Sequence, residues 1–261
     1  IDSMQYSYGF DEKLQQEWEW SEVYAPQPEI LRYASHVADR FDLRRDIRFD
    51  AEVAGMTFEE DSGLWSIRLA GVEERPVRAR FCICATGCLS RHNDPRRLFE
   101  GHEDFQGETY QTSRWPHNGK FEGTNPFEGK RVAVIGTGSS GIQSIPEIAK
   151  TASHVYVFQR TPNYSIPAHN RPQDPEYVRR TKASYAEMRA QAMDTHSGQI
   201  LPDTAGRPSE GVWMVKAHAQ PEEARARVLE ALWRHGGLPF LASYYDVLWS
   251  KRSNDLIAEF V

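Results

Sequence analysis

Apolar residues recur along the chain at two periods, and the switch between them outlines the fold. Between Gln27 and Phe41 they fall at Ile30, Tyr33, Ala34, Val37 and Phe41. This is the i, i+3, i+4, i+7 spacing of a one-sided helix, and Pro28 suits its first turn. The period then drops to two. Ile47 to Phe49 and Val53 to Phe58 read as short strands, Glu59-Glu60-Asp61-Ser62-Gly63 as a polar turn, and Leu64 to Leu69 as a returning strand. Val77, Ala79, Phe81 and Ile83 alternate through a further strand that stops at Thr86-Gly87. A helix, a β-meander and a final apolar strand make up half of a nucleotide-binding α/β domain.

Residues 88 to 129 are rich in Gly, Asp, Asn and Pro with little periodicity, and read as connecting loops. A β-branched strand follows from Arg131 to Ile135, then a helix from Ser139 to Lys150 and a second strand from Val155 to Phe158. Together they form a complete βαβ unit of about thirty residues. Beyond Pro167 the composition turns to Glu, Arg, Ala and Gln, with helical spacing in Glu222 to Arg234 and in Tyr244 to Phe260. A proline- and glycine-containing stretch from 197 to 211 separates the helical parts.

Composition narrows the classes of function. With 39% hydrophobic and 26% charged residues over 261 positions, the chain has enough apolar residues to build a core. A net charge of −6, without a basic run, argues against a nucleic-acid partner. No apolar run approaches the roughly 20 residues of a membrane span, and no signal-peptide pattern opens the chain. The three cysteines are Cys82, Cys84 and Cys88. Cys82 and Cys84 alternate on the apolar strand and read as buried packing residues, so a reducing, cytoplasmic setting is expected. The chain opens at Ile1-Asp2-Ser3 without Met and closes at Phe260-Val261 after a helix-like run, so both ends read as cut.

The chemistry centres on Gly136-Thr137-Gly138-Ser139-Ser140-Gly141. A GxGxxG alone is a weak signal, but here a strand leads in and a helix leads out. Gly136 permits the tight turn, Gly138 leaves room for a pyrophosphate, and Gly141 lets the helix approach the strand. The free N–H groups at the helix start supply an anion site. The alternative is a structural turn with no ligand. At the end of the second strand, where NAD-binding units place an acidic residue, the chain has Gln159-Arg160-Thr161. A guanidinium can make a forked pair with a 2′-phosphate, and Thr161 adds a hydroxyl, so NADP is expected over NAD. Arg160 as an ordinary solvated charge is the competing reading.

Just ahead of this turn, Phe105-Gln106-Gly107-Glu108-Thr109-Tyr110-Gln111-Thr112-Ser113-Arg114-Trp115-Pro116 resembles the fingerprint FxGxxxHxxxWP of Baeyer–Villiger monooxygenases. Gln27-Pro28-Glu29-Ile30-Leu31-Arg32-Tyr33, Ala85-Thr86-Gly87 and Phe158-Gln159-Arg160-Thr161-Pro162-Asn163-Tyr164 are also similar to that family. The likeness is specific to about residue 170 and looser beyond. It implies an α/β fold in which a Rossmann-type NADP domain (130–167) follows part of an FAD-binding α/β domain (1–104) and a fingerprint linker (105–129). A helical insertion would occupy 168–261.

The resemblance implies that NADPH reduces a tightly held FAD and that dioxygen supplies an oxygen atom inserted beside a ketone carbonyl, giving an ester or lactone. Phe105, Gly107, Gln111 and Trp115 would then shape the linker. Tyr6 and Val53 would be cofactor-binding positions together with Gly136, Thr137, Gly138, Ser139, Ser140, Gly141, Gln143, Arg160 and Thr161. Gln111 replaces the fingerprint histidine, and an amide does not titrate near neutrality. The family's first GxGxxG and an aspartate belong upstream of Ile1, and its active-site arginine beyond Val261, so no catalytic residue is expected within 1–261. An N- or S-oxygenating flavin monooxygenase and a non-catalytic NADP-binding module are the other readings.

The remaining candidates have bland explanations. His36 reads as a surface or core histidine of its helix and His154 as structural, His117 and His169 lie in loops with no partner identifiable from spacing, and no His/Cys group has metal-ligand spacing. Trp213, Trp233 and Trp249 read as core of the helical part rather than as a substrate cage. No GxSxG elbow occurs.

Overall fold

The computed structural model describes residues 2–71, 75–87, 94, 96, 99–115, 125–194, 215–237, 240, 243–247 and 249–261. In chain order the elements are α1 (Glu12–Glu17), α2 (Gln27–Arg40), β1 (Val53–Glu59), β2 (Leu64–Leu69), β3 (Val77–Ala79) and β4 (Arg131–Ile135), followed by α3 (Ser139–Ala149), β5 (His154–Phe158), α4 (Pro175–Ala183), α5 (Tyr185–Met193), α6 (Glu222–His235) and α7 (Lys251–Ala258). Residues 45–162 make one compact unit; 1–44 and 163–261 together make the other.

In the unit built from both ends of the chain, α2 is the central helix. Pro26 precedes it and Pro28 occupies its first turn. The stripe expected from the spacing buries Tyr33 and Val37, with Ile30 and Phe41 half-buried, against Met4, Leu14, Trp20 and Tyr185, whereas Ala34 is exposed. The first turn also carries a buried carboxylate. Glu29 accepts from the backbone N–H of Ser21 at 2.9 Å and from its hydroxyl at 2.5 Å, which satisfies a charge that could not otherwise be buried. A second core gathers Val228, Leu229 and Leu232 of α6 with Phe240, Tyr244, Val247 and Ile257. Gly236 ends α6 at φ +78°, a conformation that favours glycine.

Segments far apart in sequence are sewn together within this unit. Ser3 donates from its backbone to the Val23 carbonyl at 2.8 Å, and Val23 in turn to that of Arg171 at 2.9 Å. Tyr177 donates to buried Asp2 at 3.0 Å, and Tyr185 to the Met4 carbonyl at 3.1 Å. The Arg189 guanidinium holds the Ser7 carbonyl and, at 3.1 Å, the Gln15 side chain.

The 45–162 unit carries two sheets. β1, β2 and β3 form an antiparallel meander in which Met56 faces Ile67 and Trp65 faces Ala79. β4 and β5 pair in parallel, Arg131 opposite His154 through Ile135 opposite Phe158. Parallel strands need a crossover, and α3 supplies it. Phe127 and Ile148 are the buried apolar residues of this unit among the described ones.

Several expectations are corrected here. Ile47 to Phe49 is not a strand; a 3-10 turn spans Leu43–Asp46, and Ile47 and Phe49 are exposed. The last meander strand ends at Ala79 rather than at Thr86. Phe81 and Ile83 are 82% and 89% exposed, and Cys84 is exposed beside half-buried Cys82, so the cysteines are not buried packing residues. Alternation marks residues able to sit in a sheet, but a strand forms only where a neighbour completes its ladder. The helix expected from Tyr244 is confined to α7, capped by the Ser250 hydroxyl, with turns before it. Trp233 packs on the second core as expected, whereas Trp249 is exposed. Cys88, Pro116, His117, Trp213 and the 197–211 stretch lie outside the described residues.

Candidate functional site

The site forms where β4 runs into α3. Gly136 takes φ +99°, and its N–H donates to the Phe158 carbonyl at 2.8 Å, so the turn leaves β4 while still tied to the end of β5. A Cβ on Gly136 or Gly138 would meet nothing within 4 Å, whereas one on Gly141 would stand 2.5 Å from the Gly136 carbonyl oxygen. The first glycine is therefore needed for its backbone and the last for helix approach. Gly138 leaves open space in front of the helix.

Gly138 is the N-cap of α3, and no side chain caps the helix. The N–H groups of its first turn have no intrahelical acceptor and carry the positive end of the helix dipole. Gln143 and Ser144 do not compete for them. They donate back to the carbonyls of Ser139 and Ser140 at 2.7 and 2.6 Å. Ser139 and Ser140 are both exposed at this end.

Beyond β5, Gln159 donates to the Thr137 hydroxyl at 2.8 Å, locking the second strand's end to the glycine turn. The next residues, Arg160 and Thr161, are exposed, and Arg160 has no hydrogen bond or ion pair among the described residues. The geometry thus brings Gly136, Thr137, Gly138, Ser139, Ser140, Gly141 and Arg160 to one edge of the parallel pair. Sequence reasoning missed the Gln159–Thr137 bond, although its position directly before Arg160 is a usable signal.

The 105–115 segment belongs to the same compact unit. Phe105 is exposed, and a Cβ on Gly107 would run into its ring at 2.5 Å. Trp115 lies 5.5 Å from the ring of buried Phe127 and 6.3 Å from that of Tyr110. Glu108 accepts from Lys130 at 2.7 Å, and this bond raises the lysine above its ordinary value. Burial, followed by the Glu108 carboxylate, pushes the Tyr110 phenol up. Gln111 donates to Asp94 at 2.6 Å. The hydrogen bond from the Arg96 guanidinium to Asp94, helped by the Arg96 N–H and by Gln111, holds its carboxyl well below the usual carboxylate range. Neither Asp94 nor Phe127 stands out in the sequence, because their partners lie outside any periodic element.

Tyr6 is partly exposed in the 3-10 turn Ser3–Tyr6, its ring 6.0 Å from that of Trp20. Val53 opens β1 and is exposed. The His36 ring lies tilted 5.4 Å from that of Trp18, and His169 bonds the Trp233 carbonyl at 3.2 Å, so both are engaged by the fold. Among the described residues, no group of His, Cys, Asp and Glu could hold a metal ion, and no helix is long and apolar enough to cross a membrane.

A glycine turn opening onto an uncapped helix at the carboxyl edge of parallel strands defines a Rossmann-type α/β protein. Residues 18–191 match the flavin-binding monooxygenase-like family, and the chain belongs to it. It is 37% identical, over all of its length and 45% of the relative's, to a Baeyer–Villiger monooxygenase of Pseudooceanicola batsensis. Among solved structures, a steroid monooxygenase bound to NADP shares 45% identity at TM-score 0.80, over 100% of this chain and 46% of that one. The OTEMO complex with FAD and NADP shares 37% at TM-score 0.79, over 99% and 46%. The chain thus spans less than half the length of these relatives.

Proposed function

We propose that this chain is the NADP-binding and linker portion of an NADPH- and O2-dependent flavin monooxygenase that inserts oxygen beside a ketone carbonyl to give an ester or lactone. The observation that carries the reading is the close approach of Gly141 to Gly136, which leaves the start of α3 uncapped at the same end of the parallel pair from which β5 runs on to Arg160. The residues present suit a nicotinamide dinucleotide phosphate. Helix N–H groups would receive the pyrophosphate, and the Arg160 guanidinium with the Thr161 hydroxyl would receive the 2′-phosphate. Bound there, the cofactor supplies the hydride that reduces FAD.

On this reading, residues 130–167 hold NADP, 105–129 link it to the FAD-binding part in 1–104, and 168–261 are the helical insertion. Tyr6 and Val53 lie toward the flavin, and the 105–115 segment sets where the NADP unit stands. The chain's own part in the reaction is to hold the dinucleotide and to orient it through its phosphates. The Pseudooceanicola batsensis relative is named a Baeyer–Villiger monooxygenase, and residues 105–115 follow that family's fingerprint except at Gln111, which supports a ketone as substrate. The acidic balance supports an enzyme that acts on small molecules without nucleic acid, and the reducing, cytoplasmic setting expected from the three cysteines belongs to the same reading.

The test uses the full-length protein. A yellow preparation absorbing near ~450 nm, as bound flavin does, that oxidises NADPH and turns a cyclic ketone into its lactone supports the proposal. A colourless protein that binds NADPH would be a bare dinucleotide module. Sulfoxidation of a thioether with no lactone would instead place it among N- or S-oxygenating enzymes.

A further inference from the structure

Three of the contacts made by the 105–115 segment differ in what they hold it to. Trp115 packs on Phe127 at 5.5 Å, and Glu108 pairs with Lys130 at 2.7 Å; both partners follow the segment in the chain and lead into β4. The Glu108–Lys130 pair is exposed, so solvent screening leaves it little weight. The Gln111 amide instead reaches back 17 residues to Asp94, at 2.6 Å. Among these three contacts it alone ties the segment to the chain that precedes it.

Asp94 is prepared for this role. Its carboxylate takes the Arg96 side chain at 2.9, 3.1 and 2.6 Å and the Arg96 backbone N–H at 3.0 Å, which fixes its orientation and keeps it ionised. An ionised carboxylate only accepts, so the Gln111 amide must present its NH2 group. Among the described residues, the charged groups at the bond are Asp94 and Arg96, with Arg114 three residues beyond Gln111. Glu147, the one charged side chain of α3, which packs beside Thr112–Arg114, is engaged by Lys150.

We infer that Asp94 is a positioning residue, which sets the 105–115 segment through Gln111 by a hydrogen bond whose donor keeps its protons across the physiological range. This rests on the reading that the segment places the NADP unit. A carboxylate at 111 would be repelled by Asp94. An imidazole would bond it strongly only when protonated. The amide gives a charge-assisted bond of constant strength.

The test converts the constant donor into a titrating one in the full-length protein. In Gln111→His, selectively labelled histidine followed by NMR should show an imidazole whose inflection lies at least about half a pH unit above that in Gln111→His/Asp94→Asn, because a facing carboxylate favours the charged ring. Coincident inflections would overturn the contact. NADPH affinity is then compared with the wild type at about pH 6 and about pH 8, either side of the ordinary histidine value. The Gln111→His variant should lose about two- to tenfold relative to wild type at the higher pH only, the net worth of one hydrogen bond. Restoring the amide as Gln111→Asn should remove the pH dependence. An affinity ratio that stays flat while the imidazole reports Asp94 would overturn the positioning role. A wild-type protein with no affinity for NADPH would refute the proposed function instead, and the NMR comparison would still decide the tether.

Discussion

The carbonyl oxygen of Gly136 lies where a side chain on Gly141 would begin, 2.5 Å from an ideal Cβ. Five positions apart in the chain, the two glycines meet because the turn folds the start of α3 back over the end of β4. The nearby Gly138 faces open space. One motif therefore contains glycines required for different reasons, and substitutions separate them.

Gly141→Ala is expected to destabilise the fold by about 1–3 kcal/mol, the usual cost of overpacking, and to weaken NADPH as a consequence. Gly138→Ala should cost about 1 kcal/mol or less of stability, the difference between Gly and Ala at an N-cap. It should nevertheless weaken NADPH by at least about 1.4 kcal/mol, a factor of ten. Thermal melts paired with NADPH titrations check both. Equal stability losses for the two variants would contradict the assignment.

Arg160→Ala should weaken NADPH binding by roughly 1.5–3 kcal/mol, the worth of hydrogen bonds to a charged group, and leave NADH binding unchanged. Calorimetric titration with each cofactor checks this. Equal losses for both would mean that the guanidinium does not read the 2′-phosphate.

Asp246 is buried and accepts from the Ala217 N–H at 3.1 Å and the Ser253 hydroxyl at 2.6 Å, with His218 at 3.6 Å. Burial raises its carboxyl, but the bonds from Ser253 and Ala217 and the charge of His218 outweigh it and leave it below the ordinary value. A carboxyl held low in the folded chain adds stability above its unfolded value and loses it as pH falls through the folded one. Asp246→Ala should cost about 2–3 kcal/mol near neutrality by stranding both donors. The melting temperatures of wild type and Asp246→Asn should begin to converge as the pH falls below about 4. A gap that persists in acid would show that the charge of Asp246 is irrelevant.

Arg189→Ala removes the guanidinium from the Ser7 carbonyl and from Gln15. The expected loss is about 1.5–3 kcal/mol, with faster amide exchange in residues 4–8. Tyr185→Phe, which loses the bond to the Met4 carbonyl, should cost about 1 kcal/mol. Exchange that stays slow around Ser7 in Arg189→Ala would show that the N-terminal turn is held without the arginine.

What the sequence determined by itself is local. The 3.6-residue spacing of Tyr33 and Val37 placed α2, β-branched runs placed β4 and β5, and the glycines marked the turn, because helix period, strand alternation and backbone freedom act between near neighbours. The tertiary structure alone decided which residues across long separations meet. Asp94 with Gln111, Gln159 with Thr137, and Arg189 with Ser7 are single hydrogen bonds that leave no period in the chain. It also decided that Phe81 and Ile83 stay exposed and outside the meander, since alternation records fitness for a sheet, and burial needs a partner to supply the ladder and cover the face.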